Sequence, residues 1–228
     1  MKVIQKKAFQ TIMEAAACSG TACGTETDAA RQNLIFLHAG PGLGKSYLLR
    51  AAERHLKEEP QGNTVKVKYI IAEDFVSELI GAYREGTTEE FLRKYGELDV
   101  LLVDDVECLD GKESTQNTFL DILDRIHSAG GTVIAAGTKM PEQLADRGWS
   151  IIDPEAPDTE GRMEILRGKA ERLGISVKEE ILRKIAESFT DDLRTMEGTL
   201  TRIAAYADLM DRDLNMELTE EVLAEMKK

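Results

Sequence analysis

The fold class predicted by this sequence is α/β: a parallel sheet sandwiched by helices, followed by a small all-α subdomain. Three observations predict it. Up to Pro154 the apolar spacing switches repeatedly between strand-like and helix-like periods, and strands that alternate with helices imply parallel order. The runs LLV at 101–103 and VIAA at 133–136 are apolar without alternation, as strands buried on both faces are. Beyond Pro157 the strand-like runs stop and only helical spacing remains.

Taken in order, residues 3–17 suit a helix with Phe9, Ile12, Met13 and Ala16 on one side, and a polar loop follows through Asp28. Strands are expected at 33–38 (NLIFLH), 65–72 (VKVKYIIA), 99–105 (DVLLVDD) and 131–138 (GTVIAAGT). Helices fill the spaces between them at 46–58, 73–85, 88–95 and 113–129. After the DPEAP stretch at 153–157 come helices at 158–173, 177–189, 191–210 and 217–227, the second opened by a capping box from Ser176 to Glu179. This change of pattern divides the chain into subdomains 1–155 and 156–228. There is no internal repeat and no low-complexity tract.

The 228 residues carry 42 acidic against 29 basic side chains, a formal net charge of −13. Such a balance argues against wholesale wrapping of nucleic acid or docking on anionic lipid, so any DNA contact must be local. Cys18, Cys23 and Cys108 have no framework spacing and suit a reducing compartment. Cys18 and Cys23, with His38 as the nearest histidine, fall short of the four ligands of a zinc site. The start MKVIQKKAFQ lacks the apolar stretch of a secretory signal, and no run approaches the ~18–20 apolar residues of a membrane span, so a cytoplasmic protein with no membrane partner is expected.

The chemistry concentrates between the first strand and the second expected helix. Ala39-Gly40-Pro41-Gly42-Leu43-Gly44-Lys45-Ser46 fits the phosphate-loop pattern G-x-x-x-x-G-K-[ST], with Ala39 in place of the first glycine. In that pattern backbone N–H groups at a helix N-terminus surround phosphate oxygens, the lysine reaches the β- and γ-phosphates, and the hydroxyl serves Mg²⁺. The expected nucleotide-binding set is Gly40, Pro41, Gly42, Leu43, Gly44, Lys45, Ser46 and Tyr47.

A phosphate loop shares its metal with an acidic residue on a neighbouring strand. The apolar strand at 99–105 ends in Asp104 and Asp105, at the carboxyl edge where open α/β sheets bind ligands. Asp104 is expected to hold Mg²⁺ with Ser46, and Asp105 to orient or deprotonate the attacking water. One strand intervenes in sequence, which leaves room for a sheet in which the two motif strands are neighbours. The reading is a P-loop NTPase that takes ATP or ADP with Mg²⁺.

GPGLGKSYLL at 40–49, the long stretch from AEDFVSELIGAYREG through DVLLVDDVECLDGKESTQ to DRIHSAGG, and DDLRTMEGTLTRIAAYA at 191–207 together resemble the AAA+ ATPase domain of the bacterial replication initiator DnaA. The likeness runs from about Asn33 to Lys228. It implies that Lys45 and Ser46 form the Walker A pair and Asp104 and Asp105 the Walker B pair. Arg194 matches the sensor-2 arginine, which reaches from a helical lid to the γ-phosphate; a guanidinium–phosphate bond exists only while that phosphate does. Thr138 falls where the family carries a polar sensor, commonly an aspartate. Val76 and Lys112 align with regions that touch single-stranded DNA in family members, with Ser114 where an arginine is usual.

Departures from the family pattern shape the functional expectation. The aromatic-containing segment that helps hold adenine has only the helix at 3–17 in its place. The arginine-finger segment, roughly R-L-x-S-R-F before a tryptophan, is shortened to ADRGWSIID, leaving Arg147 and Trp149 but no second arginine. A finger contributes several powers of ten in rate, so weak hydrolysis is expected, with Arg147 as the candidate substitute. The sequence stops at EVLAEMKK after the lid, without a basic helix-turn-helix, so no duplex-reading domain is expected.

Three functions fit. In the first, which the resemblance implies, the chain is expected to be a DnaA-type ATP-binding protein with weak hydrolysis, acting in replication initiation or its regulation with full-length DnaA or other AAA+ subunits. Alternatively it is a regulatory adaptor that does not hydrolyse ATP, resembling the short DnaA paralogue Hda. The third option is a mobile-element helicase loader, which wants a basic N-terminal arm where residues 1–32 offer Lys2, Lys6, Lys7 and Arg31.

Overall fold

In a computed structural model, which describes residues 6–17, 33–58, 65–154, 156–190 and 192–226, β1 (Leu34–His38) lies inside a five-stranded parallel sheet. Its neighbours are β4 (Thr132–Gly137) on one side and β5 (Ser150–Ile152) on the other. β3 (Val100–Asp104) follows β4, and β2 (Val67–Ile71) forms the edge, giving the order β2-β3-β4-β1-β5. Every residue of β3 and β4 is buried, as their unalternating apolar runs require. The loop after Ala17 through Asp28, Cys18, Cys23, Lys2 and Arg31 lie outside the described residues.

Two expectations about the sheet are corrected. β5 was not anticipated: three residues are too few to display a period, and Ile151 at its centre is exposed. The two motif strands are not neighbours either, because β4 lies between β3 and β1. Loop lengths allow several strand orders, and packing selects one of them. The carboxyl ends of β1, β4 and β3 still form one contiguous edge, so Ala39, which follows β1, and the aspartates lie at the same end of the sheet.

Alternate strand residues face opposite layers. Ile35, Leu37, Leu102 and Ile134 pack against Leu48, Leu49 and Ala52 of α2 (Lys45–Glu58) and Ile12 of α1 (Lys6–Ala17). On the other face, Phe36, Leu101, Val103 and Val133 meet α3 (Ala72–Glu85), α4 (Thr88–Gly96) and α5 (Glu113–Ser128). Phe75 of α3 anchors that layer. The rings of Phe91, Tyr95 and Phe119 stand 5.4, 5.4 and 5.5 Å from it, in tilted and edge-on contacts that add to the ~1.5–3 kcal/mol of burying each aromatic. A 3₁₀ turn, Val106–Leu109, joins β3 to α5, and the short α6 (Glu142–Ala145) precedes β5.

The chain divides into two compact units, one around the sheet and one around the remaining helices, with the loop 41–44 grouped with the helices. The helical unit contains α7 (Thr159–Leu173), α8 (Glu179–Ser188), α9 (Leu193–Leu209) and α10 (Met216–Met226). Leu166, Ile181, Ile185, Met196, Leu200 and Ile203 are fully buried in its core. Asp158 caps α7, its carboxylate accepting the Gly161 N–H at 2.8 Å. The expected capping box on α8 is absent. The helix starts at Glu179 with Lys178 as N-cap and no side-chain cap bond, so Glu179 is the first helical residue, not the third that a capping box requires.

Candidate functional site

Beyond β1 the chain enters the glycine loop with Ala39 buried and its N–H donating to the Gly137 carbonyl at the end of β4, 3.3 Å away. Gly42 and Gly44 have φ of 77° and 83°, left-handed values that a Cβ disfavours. α2 begins at Lys45, so the amides of its first turn, which have no intrahelical acceptor, open onto this loop.

The Lys45 side chain is only 7% exposed, and its Nζ donates to the carbonyls of Ala39 at 2.7 Å and Gly40 at 2.9 Å. Both partners are neutral, so the ammonium charge is held in the loop without being cancelled there. Together with the helix dipole, that charge makes the loop attractive to an anion. Ser46 and Tyr47 follow as exposed residues of the first turn of α2.

Asp104 ends β3 with 1% exposure. Its Oδ2 accepts the Tyr69 hydroxyl at 2.8 Å and its Oδ1 the Asp105 N–H at 3.1 Å. Burial, and then the Asp104 carboxylate itself, push the Tyr69 phenol well above its ordinary pKa, so Tyr69 remains a donor. The Arg50 guanidinium lies 4.4 Å from the centre of the Tyr69 ring. Nothing in the sequence pointed to Tyr69, because a tyrosine on an edge strand reads as ordinary packing. Replacing it with Phe removes the donor from a buried carboxylate, and urea unfolding of Tyr69→Phe is expected to show a loss of about 1 kcal/mol.

Asp105 has φ 53°, a left-handed conformation that aspartate tolerates better than most residues and that turns the chain sharply out of β3. Two residues on, Glu107 reaches the end of β4, where its Oε1 accepts both the Thr138 hydroxyl at 2.9 Å and the Thr138 N–H at 3.2 Å. The sheet unit therefore gathers Lys45, Ser46, Asp104, Asp105 and Thr138 along one edge. An ammonium, helix-start amides, a hydroxyl and carboxylates suit a phosphate chain and a hard cation in kind.

The remaining expected residues each lie within their own unit. Arg147 forms an ion pair with Asp124 of α5 in the same chain. Trp149 Nε1 donates to the Leu144 carbonyl at 2.7 Å. Arg194 is exposed in the first turn of α9, after Asp192, whose carboxyl is held low by hydrogen bonds from the Thr195 hydroxyl and N–H. Val76 is half-buried on α3, with Ile80 and Tyr83 exposed further along the same helix, while Lys112 and Ser114 are exposed at the start of α5. Among the described residues no helix is long and apolar enough to cross a membrane.

A glycine loop between β1 and α2, and an aspartate that ends β3 in a parallel sheet ordered β2-β3-β4-β1-β5, define the P-loop fold of AAA+ ATPases. Comparison narrows that class. The chain belongs to the family described as the bacterial DnaA ATPase domain, whose model matches residues 8–148. Chromosomal replication initiator DnaA proteins of Corynebacterium aurimucosum and Chloroflexus aurantiacus are each 36% identical to it, over 88% and 85% of this chain respectively. These stretches are 38% and 42% of the relatives, so the chain spans about two fifths of the length of the proteins it matches. Domain III of the Thermotoga maritima replication initiation protein DnaA superposes with a TM-score of 0.76 at 26% identity, over 96% of this chain and 90% of that one. A replication initiator DnaA bound to AMPPCP and single-stranded DNA superposes with a TM-score of 0.67 at 27% identity, over 88% of this chain and 61% of that one.

Proposed function

We propose that this chain binds ATP with Mg²⁺ and hydrolyses it slowly, acting in bacterial replication initiation or its regulation alongside full-length DnaA or other AAA+ subunits. One observation carries the reading: the buried Lys45 ammonium rests on two neutral carbonyls of the loop, an arrangement that accepts an incoming phosphate without a carboxylate to displace. The AMPPCP of a solved relative supports a triphosphate as the ligand.

The reading gives each residue a task. Amides from Gly40 to Ser46, with Pro41 and Leu43 shaping the loop, surround the phosphates, and Lys45 turns toward the β- and γ-oxygens. Ser46 and Asp104 would hold the magnesium, which when bound would supply positive charge to offset that of the triphosphate. Asp105 orients the attacking water, and Thr138 hydrogen-bonds at the γ-phosphate end. Residues 1–155 form the nucleotide-binding subdomain and 156–228 a lid, from which Arg194 distinguishes ATP from ADP. Tyr47 packs beside the nucleotide. Single-stranded DNA is proposed to run past Val76 and Lys112; that a solved relative binds single-stranded DNA supports DNA as a ligand.

A second reading, a regulatory adaptor that holds nucleotide without hydrolysing it and acts on full-length DnaA, is favoured by one contact. Arg147, the candidate finger, is paired with Asp124 of its own chain. Breaking that exposed pair costs on the order of 1 kcal/mol or less, so a partner is able to recruit the arginine, yet the unassisted chain holds it in place.

Titration of the purified chain with fluorescent ATP, with and without Mg²⁺, tests the central claim. Saturable, magnesium-dependent binding is expected, and its absence would remove the functional reading. Adding the full-length DnaA of the same cell and following phosphate release then separates the two versions. Faster release by either partner supports the adaptor, and an unchanged rate supports the independent ATPase.

A further inference from the structure

We propose that Glu107 is a positioning residue for ATP hydrolysis: its carboxylate, carried on the 3₁₀ turn after β3, fixes the Thr138 hydroxyl as an acceptor for the attacking water. The inference rests on the nucleotide reading above. A threonine hydroxyl has one proton and two lone pairs. Thr138 donates that proton to Glu107 Oε1 at 2.9 Å, and its backbone N–H donates to the same oxygen at 3.2 Å. What the hydroxyl then presents to the ligand edge is acceptor capacity alone. An attacking water held through its hydrogens, by Asp105 and by Thr138 Oγ1, keeps an oxygen lone pair free for phosphorus.

A mere staple between a turn and a strand end is the competing account, and the other carboxylate oxygen argues against it. Glu107 Oε2 is buried and, among the described residues, has no hydrogen-bond partner. It lies directly against the end of β4, where a Cβ at Gly137 would sit 2.3 Å from it. Leaving a buried acceptor unsatisfied costs about 1–3 kcal/mol, a penalty that a stabilising staple would avoid. The position just after β4 carries an uncharged threonine, and the negative charge arrives instead from a residue two places beyond Asp105. The acid is relocated to the turn and coupled to the sensor through one oxygen.

Equilibrium binding of fluorescent ATP, steady-state phosphate release and thermal melting, measured on the wild type, Glu107→Ala, Thr138→Ala, the double alanine variant and the exchange variant Glu107→Gln/Thr138→Asp, test this. Each single alanine is expected to lower kcat by roughly ten- to a hundredfold, at or below the ~100-fold lower end of direct acid–base effects because Glu107 acts through Thr138, with KM and nucleotide affinity within about twofold of wild type. The double alanine variant should be no slower than the slower single one, because one coupled unit is lost either way. The exchange variant returns a carboxylate to the β4 end and should recover most of the turnover. Unchanged kcat in Glu107→Ala, fully multiplicative losses in the double variant, or an exchange variant that melts normally yet stays as slow as the alanines would each overturn the assignment. A wild type that binds ATP but releases no phosphate also overturns it and leaves the nucleotide reading intact. A wild type that binds no ATP removes that reading first.

Discussion

Lys45→Ala is expected to weaken ATP binding by at least a hundredfold while leaving the chain folded. The ammonium is the one positive charge seen within the glycine loop, held by Ala39 and Gly40 carbonyls at 2.7 and 2.9 Å. When triphosphate enters, the charge-assisted bonds it makes contribute about 1.5–3 kcal/mol each. Losing two of them corresponds to at least about 2.8 kcal/mol, or two powers of ten in Kd. The substitution also leaves the two carbonyls without their donor, so part of the loss could come from a rearranged loop. Lys45→Met keeps most of the buried volume and removes only the charge and its donors. Calorimetric titration should give the same loss for both variants if charge is responsible, with melting temperatures close to wild type. Retained affinity in Lys45→Met would mean that the loop amides alone grip the phosphates and that the lysine is structural.

How much of this could be read from the residues depends on the range over which each signal acts. The phosphate loop is local: eight consecutive residues carry it, and Gly42 and Gly44 adopt the positive φ that the pattern needs. Helices of nine residues or more from α2 onward were legible to within about two residues because burial repeats along them, as with Ile181, Leu182, Ile185 and Ala186 of α8, whereas the short α6 was not anticipated. β5 left no signal in three residues, and the insertion of β4 between β3 and β1 is a choice of packing that no local pattern encodes.

The residues missed at the site share one property, that their partners are distant in sequence. Tyr69 meets Asp104 and Glu107 meets Thr138 only after the strands have paired. The run VDDVE offered a third acid beside the Walker B pair, yet in sequence Glu107 is indistinguishable from a solvated turn residue. Arg147 was marked by its place near a tryptophan, but its pairing with Asp124 depends on α5 passing beside the loop after α6.

Arg162→Ala is expected to unfold the helical unit more easily by about 3 kcal/mol, a loss that ranks among the largest available in this chain. Arg162 is only 7% exposed, and its Nε donates to the Ala186 carbonyl at 2.8 Å, its Nη1 to the Pro157 carbonyl at 2.6 Å and its Nη2 to the Thr159 hydroxyl at 3.1 Å. Ala186 lies in the last turn of α8, where carbonyls lack intrahelical donors and the negative end of the helix dipole favours a cation. One side chain therefore closes α8, ties it to α7 and fixes the chain just before α7 begins. Truncation leaves buried acceptors unpaired and opens a cavity, and either effect alone costs 1 kcal/mol or more by the usual scales, so about 3 in total. Arg162→Lys keeps the charge without the planar fork and should fall between alanine and wild type. For a helical unit of roughly 70 residues melting on its own, 3 kcal/mol lowers the melting temperature by roughly 12–24 °C. The single tryptophan, Trp149, belongs to the sheet unit, so circular dichroism should register an earlier helical transition while tryptophan fluorescence keeps its midpoint. If both signals shift together, the two units unfold as one cooperative body; if neither shifts, the Arg162 contacts do not hold the helical unit together.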